Sequence, residues 1–161
     1  MTGDRERKLE ELGFPLDRVP GEGSLVDPLS IVNDILYASG QVPFDGDKLV
    51  SVGRVPDEVS QDDAYAAAAL CAANVLRTVR KHVGSLDAIE RVVRITGYVN
   101  SSASFTAQHL VINGASQLVR DVFGEQGRHA RTALGLAQLP LGSSVEVEMI
   151  LQLKAGHSLK N

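Results

Sequence analysis

The sequence contains no tryptophan, and aromatic residues fill only 4% of its 161 positions. A core assembled from it must be aliphatic and rich in alanine. There is a single cysteine, Cys71, so no internal disulfide can form, which fits a reducing compartment. An excess of basic residues is also missing. The chain has 16 Lys and Arg against 20 Asp and Glu, a net charge of −4, and non-specific nucleic-acid binding needs a basic footprint. No apolar run reaches the length of a membrane span, and the opening stretch MTGDRERKLEELGF is too charged for a secretory signal. A soluble cytoplasmic protein with no membrane partner is expected. The four histidines, His82, His109, His129 and His157, are scattered along the chain, so no metal site is expected.

What is present has the organisation of one α+β domain over residues 1–161, with an N-terminal helix and extended arm over 1–29 and a core over 30–154. DRERKLEEL (Asp4–Leu12) predicts a short helix stopped by Gly13, with Leu9 and Leu12 inward. Three of the six prolines, at 15, 20 and 28, follow in an irregular arm. SIVNDILYASG (Ser30–Gly40) reads as one buried strand, and DGDK (Asp45–Lys48) as a turn. Ser60–Gly84 carries the clearest helical signal. Ser60 with Asp63 makes a capping box, Tyr65, Ala68, Ala69, Ala72, Val75, Leu76, Val79 and Val83 recur at helical spacing, and Gly84 suits the C-terminal cap. Cys71 lies beside that face and reads as a small packing residue. Ala88–Ser101 alternates like a strand, with Val93, Ile95, Gly97 and Val99 on one face. Ser104–Gly127 reads as a second helix with Phe105, Ile112, Ala115, Val119 and Val122 inward, although its Asn113-Gly114 pair is also a hairpin signal.

The stretch RHARTALGLAQLPLGSSVEVEMILQLK reads as two neighbouring strands around a turn near Leu141-Gly142. In that register Arg131, Ala133, Gly135 and Ala137 share a face with Glu146, Glu148, Ile150 and Gln152. Thr132, Leu134 and Leu136 share the other with Val145, Val147, Met149, Leu151 and Leu153. Both helices would cover the apolar face. The small, charged face suits another subunit or a ligand.

YASGQVP (Tyr37–Pro43), HARTALG (His129–Gly135) and LP followed by VEVEMI (Leu139–Ile150) resemble, in that order, the Rid family, also called YjgF or L-PSP endoribonuclease-like. The resemblance spans about Ile31 to Gln152, and the longer N-terminal arm marks a divergent branch. It implies a chorismate-mutase-like fold of the bacillary type, a mixed sheet with two helices on one face, and a homotrimer with ligand clefts between subunits. It also implies hydrolysis of small reactive 2-imino or enamine acids to 2-keto acids and ammonia, without a cofactor. By the same resemblance Arg131 holds the substrate carboxylate, Glu146 handles the hydrolytic water, Ser39 and Gly40 line the cleft, and Ala133 contacts the ligand through its backbone. His129, Tyr98 and Phe105 are further candidates, and Glu148 reads as subunit-interior packing. The chain departs from the enamine-hydrolysing pattern at His129, where Pro is usual, at Ala133, where Cys is usual, and near Val26, where a cleft Tyr is usual.

Three classes of function follow. The first is a deaminase of small 2-imino acids. The second is a non-catalytic trimer that binds or senses a small carboxylate, which keeps Arg131 and tolerates the lost Tyr and Cys. The third, an endoribonuclease, is disfavoured by the acidic balance and by the absence of a basic-aromatic stripe. If the two strands form a regular hairpin, Glu146 sits opposite Ala137, far from Arg131; either a bulge near ALGLAQLP shortens the path or, as the uniform apolar face favours, the two residues share a cleft across a subunit boundary.

Overall fold

The computed structural model describes residues 3–21 and 25–159. Its elements in chain order are α1 (Asp4–Glu11), β1 (Leu29–Val32), β2 (Ile35–Gln41), β3 (Phe44–Asp45), β4 (Lys48–Leu49), α2 (Gln61–Val83), β5 (Ile89–Asn100), α3 (Gln108–Phe123), β6 (Ala130–Leu136) and β7 (Val145–Leu153). The main sheet runs β1-β2-β7-β5-β6, and α2 and α3 pack together on one of its faces. This is the α+β, chorismate-mutase-like arrangement.

Several elements are where periodicity puts them. The α2 cap is the expected box, with Ser60 Oγ accepting from Asp63 N and Gly84 in the left-handed region at φ 105. α3 runs straight through Asn113-Gly114. A Cβ on Gly114 would lie 2.0 Å from the Tyr65 carbonyl oxygen, so the glycine serves the close approach of α2 to α3 rather than a turn. β7 alternates buried and half-buried residues along its whole length, with Val145, Val147, Met149, Leu151 and Leu153 beneath the helices.

The hairpin reading of the last two strands is wrong. β6 pairs in parallel with β5 at the edge of the sheet, completing a β5-α3-β6 unit of the ordinary crossover kind. β7 lies between β2 and β5, antiparallel to both. The connector over 137–144 therefore steps across β5 instead of turning back on β6. This reverses the faces of β6. Ile95, Gly97 and Val99 stand beside Arg131, Ala133 and Gly135, and a Cβ on Gly97 would meet Ile112 of α3. Arg131, Ala133 and Gly135 are thus on the helix side, while Thr132, Leu134 and Leu136 share the open face with Glu146 and Glu148.

Three smaller corrections have local causes. Ser30–Gly40 is two strands, because Asn33 takes φ 57 and turns the chain between Val32 and Ile35; asparagine tolerates that region better than most residues. Two register shifts in β5 insert an extra residue at Glu90 and at Val93. They bring Val92, not Val93, to the helix side with Ile95. Third, the second helix begins at Gln108, and Phe105 lies in the preceding turn, half-buried against the core.

In α2 the inward face is wider than its apolar pattern. Tyr65 is exposed, whereas Asn74, Arg77 and Thr78 are buried. Asn74 Nδ2 donates to the carbonyls of Val42 and Phe44 at 3.1 and 2.9 Å, and Arg77 Nε to that of Pro15 at 2.7 Å. These bonds satisfy backbone groups of irregular chain that would otherwise be buried without partners. α1 docks through buried Leu9, through Arg5 over the Phe123 ring at 4.6 Å, and through Glu6, whose Oε1 accepts from Leu86 N at 2.7 Å.

Candidate functional site

The open face of the sheet gathers polar side chains around Glu146. Glu146 on β7 stands beside Tyr98 on β5, and Glu148 beside Thr96. Opposite, the β2–β7 register slips between Ala38 and Gln41, leaving Ser39 and Gly40 in a bulge. Bulges of this kind re-aim chains next to functional sites. Here the bulge makes a seat. A Cβ on Gly40 would lie 2.1 Å from Glu146 Oε1 and 3.0 Å from its Cδ, so the carboxyl group rests directly on the glycine backbone. Ser39 Oγ donates to the Asp27 carbonyl at 2.9 Å, tying the seat to the arm.

Burial, followed by the nearby Glu148 carboxylate, raises the pKa of Glu146. Both effects disfavour its ionised form. Tyr98 is raised too, first by burial and then by the nearby Glu148 carboxylate. Two carboxyl groups and a phenol thus share one half-shielded surface.

Arg131 lies elsewhere. Its Nη1 donates to Asn113 Oδ1 at 2.8 Å and to Ser116 Oγ at 3.1 Å, both on α3. His129 is bound to the same serine, with Nε2 at 2.9 Å from Ser116 Oγ and Nδ1 at 2.6 Å from the Gly127 carbonyl. Burial lowers the His129 pKa, the hydrogen bond to the Gly127 carbonyl opposes this, and the Arg131 and Arg120 charges lower it further; both ring nitrogens are engaged. Within one chain Arg131 and Glu146 occupy opposite faces of the sheet, two strands or about 10 Å apart. Ser39, Gly40, Tyr98 and Glu146 come together; Arg131, His129 and Ala133 form a second group against α3.

A cavity of about 210 Å³ lies beside Ser39 and Gly40, lined also by Val26, Pro28, Gln41 and Thr78. Thr78 Oγ1 is buried there with no hydrogen-bond partner among the described residues. Phe105 lines a different cavity of about 360 Å³ with Arg54, Ser101, Gln108 and Gly135. Among the described residues no group of three or more His, Cys, Asp or Glu could hold a metal ion, and no helix is long and apolar enough to cross a membrane. Sequence reasoning missed Asn113 and Ser116. Their spacing of three puts both on one face of α3, but only the strand order places Arg131 beneath it.

The YjgF/chorismate-mutase-like family model matches residues 6–153. Protein TCP17 of Trypanosoma cruzi is 44% identical over 119 residues, covering 73% of this chain and 74% of that protein. The crystal structure of Atu1372 from Agrobacterium tumefaciens, a protein of unknown function, superposes with a TM-score of 0.88 at 42% identity, covering 93% of this chain and 92% of that one. A Shewanella oneidensis MR-1 protein provisionally named an endoribonuclease superposes with a TM-score of 0.89 at 30% identity, covering 94% and 100% of the two chains.

Proposed function

The chain belongs to the YjgF/chorismate-mutase-like family, the family of the Rid proteins, and from that premise we propose that it is a deaminase of small 2-imino and enamine acids, working in clefts between the subunits of a homotrimer. The observation that carries this reading is the Glu146 carboxyl, half-buried, raised in pKa and seated on Gly40. An enamine acid tautomerises to its imine. Water adds to the C=N carbon, and the tetrahedral adduct expels ammonia to leave a 2-keto acid. Glu146 takes a proton from the attacking water and returns it to the departing nitrogen. Arg131 holds the substrate carboxylate through two parallel donors, Ser39 and Gly40 line the cleft, and the Ala133 backbone meets the ligand. None of these steps needs a metal or an organic cofactor.

The opposite-face placement of Arg131 and Glu146 supports a cleft built from two chains, Arg131 from one and Glu146 from its neighbour. Thr132, Leu134 and Leu136 on the open face, with Leu134 45% exposed, give that face the apolar surface a subunit contact uses. The binding-only reading is favoured by one observation. Val26 lines the small cavity beside Gly40, at about the place where the enamine-hydrolysing type carries a tyrosine. The endoribonuclease reading rests on the names of relatives, and the net charge of −4 disfavours it.

Ammonia and 2-keto acid should appear when an amino-acid oxidase generates a 2-imino acid in the presence of the protein. Glu146→Gln is expected to lower that rate by about 10²–10⁴-fold, the usual contribution of one placed acid–base group. A native protein that binds pyruvate yet adds nothing to the background rate of hydrolysis would establish the binding-only reading instead. Mixing Arg131→Ala and Glu146→Gln chains in one trimer should restore activity, because some interfaces then carry both native residues. Mixtures as inactive as either parent, after verified subunit exchange, would place both residues in one chain's site.

The pH profile carries a further expectation. Glu146 must be ionised to accept the water proton, so the acid limb of the rate should lie above the ordinary glutamate range. Removing the neighbouring charge with Glu148→Gln makes ionisation easier and should move that limb to lower pH. A limb that stays in place would assign it to another group.

A further inference from the structure

Asn113, Gly114 and Ser116 are all poor helix formers placed well inside a helix of 16 residues. Gly114 is explained by the approach of α2. Asn113 and Ser116 are explained by neither packing nor capping, and both point across to the edge strand, where they meet the same nitrogen of Arg131. A guanidinium has five N–H donors in a fixed plane. The two on Nη1 are spent on Asn113 Oδ1 and Ser116 Oγ. The Nε–H and the Nη2 hydrogens make no hydrogen bond among the described residues, and that free edge is the side that grips a carboxylate with two parallel bonds.

The direction of the Ser116 hydroxyl completes the arrangement. His129 Nδ1 lies 2.6 Å from the Gly127 carbonyl, which only accepts, so the ring proton sits on Nδ1 and Nε2 carries a lone pair. Nε2 therefore accepts the Ser116 hydroxyl proton at 2.9 Å. This turns the serine lone pairs toward Arg131. The lowered pKa of His129 agrees with a ring that stays neutral in this role.

We propose that Asn113, Ser116 and His129 are positioning residues that clamp one end of the Arg131 guanidinium, so that its free edge is presented ready-formed to the carboxylate of the ligand. The inference rests on the reading of Arg131 as the carboxylate holder and extends it to a relay running Gly127 carbonyl, His129, Ser116, Arg131. It also gives His129, which stands where a proline is usual in the family pattern, a definite task. His129 acts through the serine and not on the substrate. A preformed edge saves the ordering of a long flexible side chain at the moment of binding, and a relay of mutually satisfied groups holds it more firmly than a single bond.

Two measurements test this separately from the function. The first needs no ligand. Nitrogen-15 NMR of the Arg131 guanidinium should show slow hydrogen exchange in the native chain, fast exchange in Ser116→Ala and His129→Phe, and slow exchange again in Ser116→Thr, which keeps the hydroxyl. Native-like exchange in both disrupted variants, with melting temperatures confirming that they fold, would overturn the relay. The second is calorimetric titration with pyruvate and with its uncharged amide. Ser116→Ala and His129→Phe should weaken pyruvate binding about tenfold, within the range for residues coupled in one hydrogen-bond network. They should leave the amide untouched, and they should have no further effect in an Arg131→Ala background. Equal losses for both compounds, or losses that persist without Arg131, would also overturn it. A native chain that binds no pyruvate while its guanidinium exchange behaves as expected would instead sink the carboxylate-holding reading and leave the clamp established.

Discussion

Gly40→Ala should abolish most activity while leaving the fold nearly unchanged. The new methyl group would fall 2.1 Å from Glu146 Oε1, 3.0 Å from Cδ and 3.2 Å from Cγ. All three atoms belong to one flexible side chain on a half-open face, so the chain relieves the clash by swinging the carboxyl aside rather than by moving backbone. The cost to stability is small. The cost to function is the whole contribution of a placed acid–base group, about 10²–10⁴-fold in rate, because a carboxyl displaced by a methyl group no longer meets the water it must deprotonate. Circular dichroism and melting temperature would report the intact fold, and the ammonia assay the loss. Activity within a factor of a few of the native rate would show that the seat on Gly40 is dispensable.

The opposite pattern is expected at Gly114. A Cβ there would lie 2.0 Å from the Tyr65 carbonyl oxygen, 2.9 Å from its carbon and 3.3 Å from Ala69 N. These are backbone atoms of α2 and cannot rotate away, so the two helices must separate. Separation opens voids between the two packed helices. Overpacking costs about 1–3 kcal/mol and occasionally more. With rigid atoms on both sides, Gly114→Ala belongs at or above the top of that range, although alanine is the better helix former by about 1 kcal/mol. Urea titration would measure it. A stabilised variant would mean that α2 and α3 do not approach as closely as described.

How much of this was legible beforehand differed from element to element. α2 announced itself, because its period, its Ser60–Asp63 cap and its Gly84 terminus are local facts written within one segment. The alternation of Val145, Glu146, Val147 and Glu148 gave the faces of β7 correctly for the same reason. The partner of β6 was not local. A strand reads the same whether it pairs with its successor or with its predecessor, and nothing in the connector over 137–144 distinguishes a turn from a step across β5. The mistaken hairpin then placed Arg131 on the wrong face. The bulges at Glu90, Val93 and Ser39–Gly40 were invisible for a related reason, since each is defined by a register against another strand. The SG and AR motifs and the VEVE stretch were readable from sequence. Their assembly into one site within a chain was not, because the sheet puts Arg131 and Glu146 on opposite sides. Asn113 and Ser116, which hold Arg131, became visible only with the parallel pairing in place.

The strand order also bears on how the protein is made. Of the five strands of this sheet β7 is synthesised after the other four, and it occupies the middle of the sheet, bridging β2 and β5. Until residues 145–153 emerge, the first hairpin and the β5-α3-β6 unit have no backbone connection within the sheet. Each exposes an unpaired strand edge, and the helices lie over a gap. The nascent chain can form α2, α3 and the β5-α3-β6 crossover, but it cannot close its core, so closure waits for release of this segment and proceeds through long-range contacts, which are slow to form. During that interval the open edges of β2 and β5 are templates for foreign strands. Synthesis stalled before Val145 would therefore yield a chain captured by chaperones or aggregates, and a short peptide of the β7 sequence supplied in trans would be drawn into the waiting slot.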